Sequence, residues 1–355
     1  MAVLIAGSVA IIQVMFLVLL LAFLIVRRLY DRRQRAAFEA TKGQLAVPLR
    51  NWLVAGGHPE PVVAVLREMP RGTSVGYLAL LARQTIPDAN RDELAVALRG
   101  EVWLRHALDQ AYSRWWWRRL EAARALSIIA EPRDRHLVLA LFFDEHPAVQ
   151  VAAAGALPRV ADAEVMGKVL DRLDGLPKVV RHYVTSVLRR SQGLVGPLLA
   201  ERIEKGADFA ALAAWIELAE AIAETRSVAA ALTRADHPAT AVRRTIARAL
   251  RRMPGPATEA ALVKLLADRD ATVRSAAART LGELGSRGAV PSLVPMLSDG
   301  VWLVRVRAAV SLAQLGERGR AALRAARAGE DRFARDMATM VTGLTEGAIL
   351  EMGDA

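Results

Sequence analysis

The segment VRSAAARTL at residues 273–281 determines the architecture, because versions of it recur along the chain at intervals of 31 residues. One step forward, residues 304–312 read VRVRAAVSL, and one step back, residues 242–250 read VRRTIARAL. Four further steps back bring Leu212, Arg181, Gln150 and Arg119 to the position of Arg274. A register kept over seven units is an internal repeat.

Each unit has the pattern of a helical hairpin. Small or apolar residues stand at −1, +3, +4 and +7 from the arginine position, which is one face of an α-helix. A second apolar run, such as 262–266 or 293–297, belongs to each unit beyond a turn that contains Gly or Pro. An aspartate precedes the arginine position by six residues at Asp144, Asp268 and Asp299.

These hairpins resemble HEAT repeats, in particular the short HEAT-like type of phycobilin lyases and many bacterial proteins. The resemblance covers residues 113–327 and implies an all-α protein, an α-solenoid whose arginine-bearing helices line a concave face. It also implies a structural ladder, in which aspartates and arginines of neighbouring repeats pair rather than contact a ligand. The implied ladder residues are Arg119, Asp144, Arg181, Arg243, Asp268, Arg274, Asp299 and Arg305.

The apolar segment 1–26 contains no charged side chain. As a helix it would be about 39 Å long, enough to cross a hydrocarbon core of about 30 Å. No basic region precedes it and no small-residue cleavage site follows, so an uncleaved transmembrane helix is favoured over a signal peptide. The arginines from Arg27 to Arg35 place the N-terminus outside, the repeats in the cytoplasm and anionic lipid headgroups beside the basic segment.

The predicted organisation resembles that of membrane-anchored bacterial HEAT-repeat proteins, single-pass in the inner (plasma) membrane. Its parts are a transmembrane anchor (1–26), a basic juxtamembrane segment (27–42), a divergent helical adaptor (43–112), the repeat array (113–327) and a C-terminal cap and tail (328–355).

Composition and motifs argue against catalysis. The 355 residues include no cysteine, which excludes disulfides and a cysteine nucleophile. None of the six histidines lies in an H-E-x-x-H motif, and there is no P-loop or G-x-S-x-G elbow. We therefore expect no enzyme activity, no cofactor and no metal. The net charge of +11 favours an anionic partner.

Two segments are candidate partner-binding sites. Trp115, Trp116 and Trp117 stand among arginines, a composition typical of interface hot spots, although Trp116 could simply pack at the start of its helix. Residues 239–327 hold sixteen basic and six acidic side chains, which form either an anion-binding groove or a solvated face. Beyond the ladder, the candidate arginines of this part are Arg244, Arg248, Arg251, Arg252, Arg279 and Arg307.

The sequence thus predicts a non-catalytic, membrane-anchored scaffold that binds a protein at the cytoplasmic face of the membrane, such as another membrane or envelope-assembly protein. Two alternatives stay open. One is a nucleic-acid-binding protein with a basic groove like that of HEAT-like DNA glycosylases, which a membrane anchor disfavours. The other is a chromophore-binding protein similar to phycobilin lyases.

Overall fold

The computed structural model describes Leu21, Arg28 and residues 43–83, 86–206 and 208–354. Every regular element within these residues is an α-helix or a short 3₁₀ helix, and none is a strand. The prediction of an all-α protein is confirmed. Contacts divide the chain into two compact units, one ending at Val160 and the other beginning at Ala161.

The first unit contains eight described α-helices. They are α1 (43–55), α2 (Glu60–Glu68), α3 (Arg71–Arg83), α4 (Asp88–Arg99), α5 (Val102–Asp109), α6 (Trp116–Ile129), α7 (Arg135–Phe142) and α8 (Pro147–Ala154). Short 3₁₀ helices at Gln110–Tyr112, Pro132–Asp134 and Leu157–Arg159 lie between or after them.

The second unit contains thirteen described α-helices. They are α9 (Ala163–Leu170), α10 (Lys178–Leu188), α11 (Gln192–Lys205), α12 (Phe209–Ile222), α13 (Thr225–Leu232), α14 (Thr240–Ala249), α15 (Pro256–Leu265), α16 (Ala271–Glu283), α17 (Val290–Leu293), α18 (Trp302–Gln314), α19 (Gly316–Ala328), α20 (Arg332–Thr342) and α21 (Glu346–Asp354). Its 3₁₀ helices are Arg189–Ser191, Leu250–Arg252, Arg287–Ala289 and Val294–Ser298.

Helix α16 shows how the repeat sequence folds locally. Asp270 caps its start, because the carboxylate accepts a hydrogen bond of 2.9 Å from the Thr272 backbone N–H. Val273, Ala277 and Leu281 recur at helical spacing and are fully buried. Gly285 follows the helix with φ at +66°, the left-handed conformation that favours glycine, and so ends it.

Helices α12, α14, α16 and α18 pack against one another in chain order, each 31 residues after the last. Small residues allow this close approach. A Cβ atom on Gly282 of α16 would lie 2.8 Å from Cβ of Ser311 on α18, closer than real Cβ contacts. The Ser311 hydroxyl uses this proximity to donate a 2.8 Å hydrogen bond to the carbonyl of Ala278.

In the first unit, the predicted adaptor shares its core with the first repeat helix. Helices α3, α4 and α5 pack on α6, and buried Leu78, Leu94 and Leu104 belong to the same apolar cluster as Ile128. The division into compact units at residue 160 therefore does not coincide with the predicted boundary at residue 112.

No helix within the described residues is long and apolar enough to cross a membrane. The predicted anchor at 1–26 and the basic segment at 27–42 lie outside the described residues, except for Leu21 and Arg28. At the other end, α19 and α20 pack against each other, and Ala338 of α20 is fully buried. The predicted tail contains a further helix, α21, that packs against α18.

Candidate binding groove and repeat ladder

Three arginines at the repeat position each hold the aspartate 25 residues later through two parallel hydrogen bonds. The Nε atom of Arg243 lies 2.6 Å from Oδ2 of Asp268, and its Nη2 lies 2.8 Å from Oδ1. Arg274 holds Asp299 at 2.7 and 2.9 Å. Arg119 holds Asp144 at 2.5 and 2.9 Å. We call these three pairs the ladder.

The third guanidinium nitrogen, Nη1, ties each ladder arginine to the linker before its own helix. It donates to the carbonyl of Ser113 from Arg119, of His237 from Arg243 and of Asp268 from Arg274. Each ladder pair therefore joins three pieces of backbone: its own linker, its own helix and the next repeat's linker.

The ladder also stabilises the ionised forms of its members. The hydrogen bonds from Arg243 and Arg274 lower the pKa of Asp268 and of Asp299 below the ordinary aspartate value. The same hydrogen bonds raise the pKa of both arginines further. In the Arg243–Asp268 pair, the side chains are only 7% and 8% exposed, which shields the pair from solvent.

Other repeat positions lack a carboxylate partner within the described residues, including two of the predicted ladder residues, Arg181 and Arg305. The residue 25 positions after Arg181 is Gly206, which offers no carboxylate. Arg305 donates to the carbonyl of Asp299 at 2.7 Å and lies over the ring of Phe333. Gln150 keeps only the backbone contact, a 2.7 Å bond from its amide to the carbonyl of Asp144.

An open groove of about 460 Å³ lies across α14, α16 and α18 in the second unit. Five of the six predicted non-ladder arginines line it: Arg244, Arg248, Arg251, Arg279 and Arg307. The sixth, Arg252, is exposed and does not line the groove. Thr272, Ser275 and Thr280 supply polar atoms, while Ala276 and Leu303 supply apolar surface.

Glu220 of α12 is the groove's buried acid, and the sequence analysis did not single it out. Its carboxylate lies 2.7 Å from Nη2 of Arg251 and 3.8 Å from Nη2 of Arg248. Arg279 pairs at 2.7 Å with Glu283, the other acid of the lining. Five arginines against two glutamates leave the groove with a positive formal charge of three.

The aromatic cluster, Trp115, Trp116 and Trp117, lies on the surface of the first unit. The three side chains are 40%, 40% and 45% exposed. Trp115 and Trp117 stack with ring centroids 4.7 Å apart, and Arg114 lies over the Trp115 ring. Trp116 stacks on His146 at 4.0 Å, which joins the start of α6 to the start of α8. Trp116 therefore packs at the start of its helix, and all three tryptophans also remain partly exposed to solvent.

The described residues contain no group of three or more potential metal ligands. Two histidines serve as helix-start acceptors instead: Nδ1 of His146 accepts from Ala148 N–H at 3.3 Å, and Nδ1 of His237 accepts from Ala239 N–H at 3.2 Å.

Residues 259–342 match the HEAT-repeat family model, which establishes HEAT repeats in the part of the chain that includes α16, α18 and α20. A comparison with curated proteins found no match.

Several solved structures are similar. The complex of CpcE and CpcF of phycocyanin lyase from Nostoc sp. PCC7120 is 20% identical, with a TM-score of 0.36 over 50% of this chain and 74% of that one. The E. coli protein YIBA is 14% identical, with a TM-score of 0.38 over 67% and 90%. Human deoxyhypusine hydroxylase is 16% identical, with a TM-score of 0.27 over 89% and 98%. TM-scores this low say nothing about function.

Proposed function

We propose that this protein is a non-catalytic HEAT-repeat scaffold that recruits an acidic protein segment into the groove across α14, α16 and α18. The observation that supports this most directly is the clustering of five arginines from successive repeats around one cavity. Arginines on different helices meet there only because the 31-residue register stacks those helices side by side.

The groove's chemistry favours a partner that brings several carboxylates at once. Arg244 and Arg248 are exposed. The shortest distance from Arg248 to Glu220 is 3.8 Å, which is too long for a hydrogen bond, so both arginines keep N–H donors for a ligand. Complementary charge of this kind accelerates encounter and fixes orientation. Leu303 and Ala276 would add apolar contact at the same surface.

We also propose that residues 1–26 anchor the scaffold in a bacterial inner membrane, with the repeats cytoplasmic. The support is the absence of charge over that segment and the arginines that follow it. Anionic headgroups would lie beside Arg27 to Arg35. Tethering raises the effective concentration of a partner in the same membrane, so modest contact energy suffices.

In-cell crosslinking and affinity purification of the full-length chain test the proposal. The variant Arg244→Glu, Arg248→Glu reverses the charge of the groove, and Arg318→Glu, Arg327→Glu makes the same charge change on exposed arginines of α19. We expect a small set of proteins that the groove variant loses and the α19 variant keeps. Recovery of nucleic acid, or of nothing sensitive to the groove variant, would overturn the proposal.

A further inference from the structure

The groove lies next to a helix of the same chain. Arg307, which lines the groove on α18, donates from Nη1 to the carbonyl oxygen of Met352 at 2.6 Å. Met352 belongs to the last turn of α21, and α21 packs against α18. Burial lowers the pKa of Arg307, in keeping with a guanidinium covered by this helix.

The sequence of α21 complements the groove in charge. The segment EGAILEMGD contains Glu346, Glu351 and Asp354 and no basic residue. Ile349 and Met352 are half-buried, whereas Glu351 is exposed. The carbonyl end of a helix has partial negative charge, which an arginine cation stabilises. An acidic, amphipathic helix is thus already held at the edge of the groove.

We infer that the partner segment proposed for the groove is itself an acidic amphipathic helix, and that α21 is an internal version of it that competes for the groove. This inference rests on the proposed function. The exposed side chain of Leu303 lines the same groove as the five arginines, so it offers apolar contact to such a helix. Because α21 is tethered, its effective concentration lowers the apparent affinity of any acidic helix added in trans.

A binding experiment with the chain's own segment tests the inference. The probe is a fluorescein-labelled peptide of residues 344–355, LTEGAILEMGDA, titrated against full-length variants by anisotropy at low salt. Ile349→Lys places a charge on the half-buried side of α21 and releases it from α18. Glu330→Gln makes the same change in net charge at an exposed residue between α19 and α20, outside α21, so it is the matched control.

We expect Ile349→Lys to bind the peptide about tenfold more tightly than the wild type, which corresponds to about 1.4 kcal/mol, and Glu330→Gln to bind like the wild type. Adding Arg244→Glu and Arg248→Glu to Ile349→Lys should abolish binding. Circular dichroism and thermal unfolding establish that all variants remain folded.

Equal binding by the wild type and Ile349→Lys, or no binding to either, would overturn the inference. So would peptide binding that survives the groove charge reversal, because α21 and the groove would then use separate surfaces. None of these results affects the proposed function, which depends on the proteins that crosslinking recovers from cells.

Discussion

Two parts of the second unit join their repeats by different means. In residues 236–305, the ladder pairs Arg243 with Asp268 and Arg274 with Asp299. In residues 161–235, the repeat positions are Arg181 and Leu212, and neither contributes a ladder pair. Both parts nevertheless keep the same 31-residue register, so the ladder is one way, and not the required way, to join HEAT-like hairpins.

In residues 161–235, arginines at other positions donate to backbone carbonyls of the neighbouring repeat. Arg234 donates from Nη2 to the carbonyls of Glu204 at 2.6 Å and Gly206 at 2.9 Å, and from Nε to that of Ile203 at 3.2 Å. Arg189 donates to Ala221 in the same way at 2.7 Å. These guanidinium groups satisfy carbonyls at or just after helix C-termini, which otherwise lack a partner.

The two kinds of acceptor, carboxylate and carbonyl, predict different costs for losing the arginine. A buried carboxylate that loses its cation stays charged in a poor solvent, whereas a carbonyl at a helix end can turn to water. Removing a ladder arginine should therefore destabilise the protein more than removing Arg234, which makes three hydrogen bonds, all to carbonyls.

The largest expected effect is that of Arg243→Met. It keeps the side-chain length but leaves the buried Asp268 carboxylate unpaired, and breaking a buried pair costs about 3–5 kcal/mol of the free energy of unfolding. Arg305→Met is the matched control at the same repeat position without a carboxylate; it loses a charged donor to the carbonyl of Asp299, with an expected loss of about 1.5–3 kcal/mol. Urea unfolding measures both, and equal losses would show that the carboxylate is not the decisive acceptor.

The corresponding change in the other part is Arg234→Met. Charged donors to carbonyls contribute about 1.5–3 kcal/mol, so the loss should be clearly smaller than for Arg243→Met. Arg226→Met, on the exposed face of α13, should stay within about 0.5 kcal/mol of the wild type. A loss for Arg234→Met equal to that for Arg243→Met would remove the distinction between the two parts.

A third comparison concerns glycines at helix contacts. Gly282→Ala brings a Cβ to 2.8 Å from the Ser311 Cβ, and overpacking of this kind costs about 1–3 kcal/mol. Gly196→Ala, in α11, would meet the Glu224 carboxylate at the same distance, and that flexible side chain can move if it gives up its hydrogen bonds from Gln192 and from the Arg226 N–H. We expect Gly196→Ala to cost less than Gly282→Ala in urea unfolding. The reverse order would show that the contact between α16 and α18 is the more adaptable one.

The smallest expected effect is the loss of stability at acidic pH. The pKa values of Asp268 and Asp299 are lowered in the folded state, so their contribution to stability is present above the ordinary value of 3.8 and is lost as pH falls through the folded-state values. Hydrogen exchange at decreasing pH should show residues 236–305 losing protection before residues 161–235. In Arg243→Met, the acid dependence should become shallower, because Asp268 loses the main cause of its lowered pKa.

The sequence predicted those contacts in which both partners are side chains that recur at a fixed spacing. An arginine and an aspartate 25 residues apart can be recognised in three units, and so can the helical face of residues such as Val273 and Ala277. Arg181 has Gly206 at the position 25 residues later, where the three ladder arginines have an aspartate, so a ladder pair is excluded there by the sequence itself. Arg305 differs, because Glu330 stands 25 residues after it and yet the described residues show no ion pair between the two, so the spacing alone would predict a pair that the fold does not make.

Hydrogen bonds from arginines to backbone carbonyls leave no recognisable pattern in the sequence. The carbonyls that receive Arg234 belong to Ile203, Glu204 and Gly206, and any residue supplies a carbonyl. Glu220 was not predicted, because it lies in the repeat that has Leu212 at the arginine position. Helix α21 was not predicted either, because it follows the last recognisable repeat. Charge and position on or beside the arginine-bearing helices predicted the six groove arginines, but not which of them converge, as the absence of Arg252 from the lining illustrates.

The geometry of the ladder has a consequence for how such a chain lengthens. In each ladder pair the aspartate follows the arginine by 25 residues, whereas the last repeat arginine, Arg305, has Glu330 at that distance but makes no ion pair with it within the described residues. Tandem duplication of the 31 residues 275–305 would place a copy of Asp299 25 residues after the original Arg305, and the copy of Arg305 would become the new last repeat arginine. Each duplication of a whole repeat therefore adds one ladder pair and leaves the existing pairs unchanged.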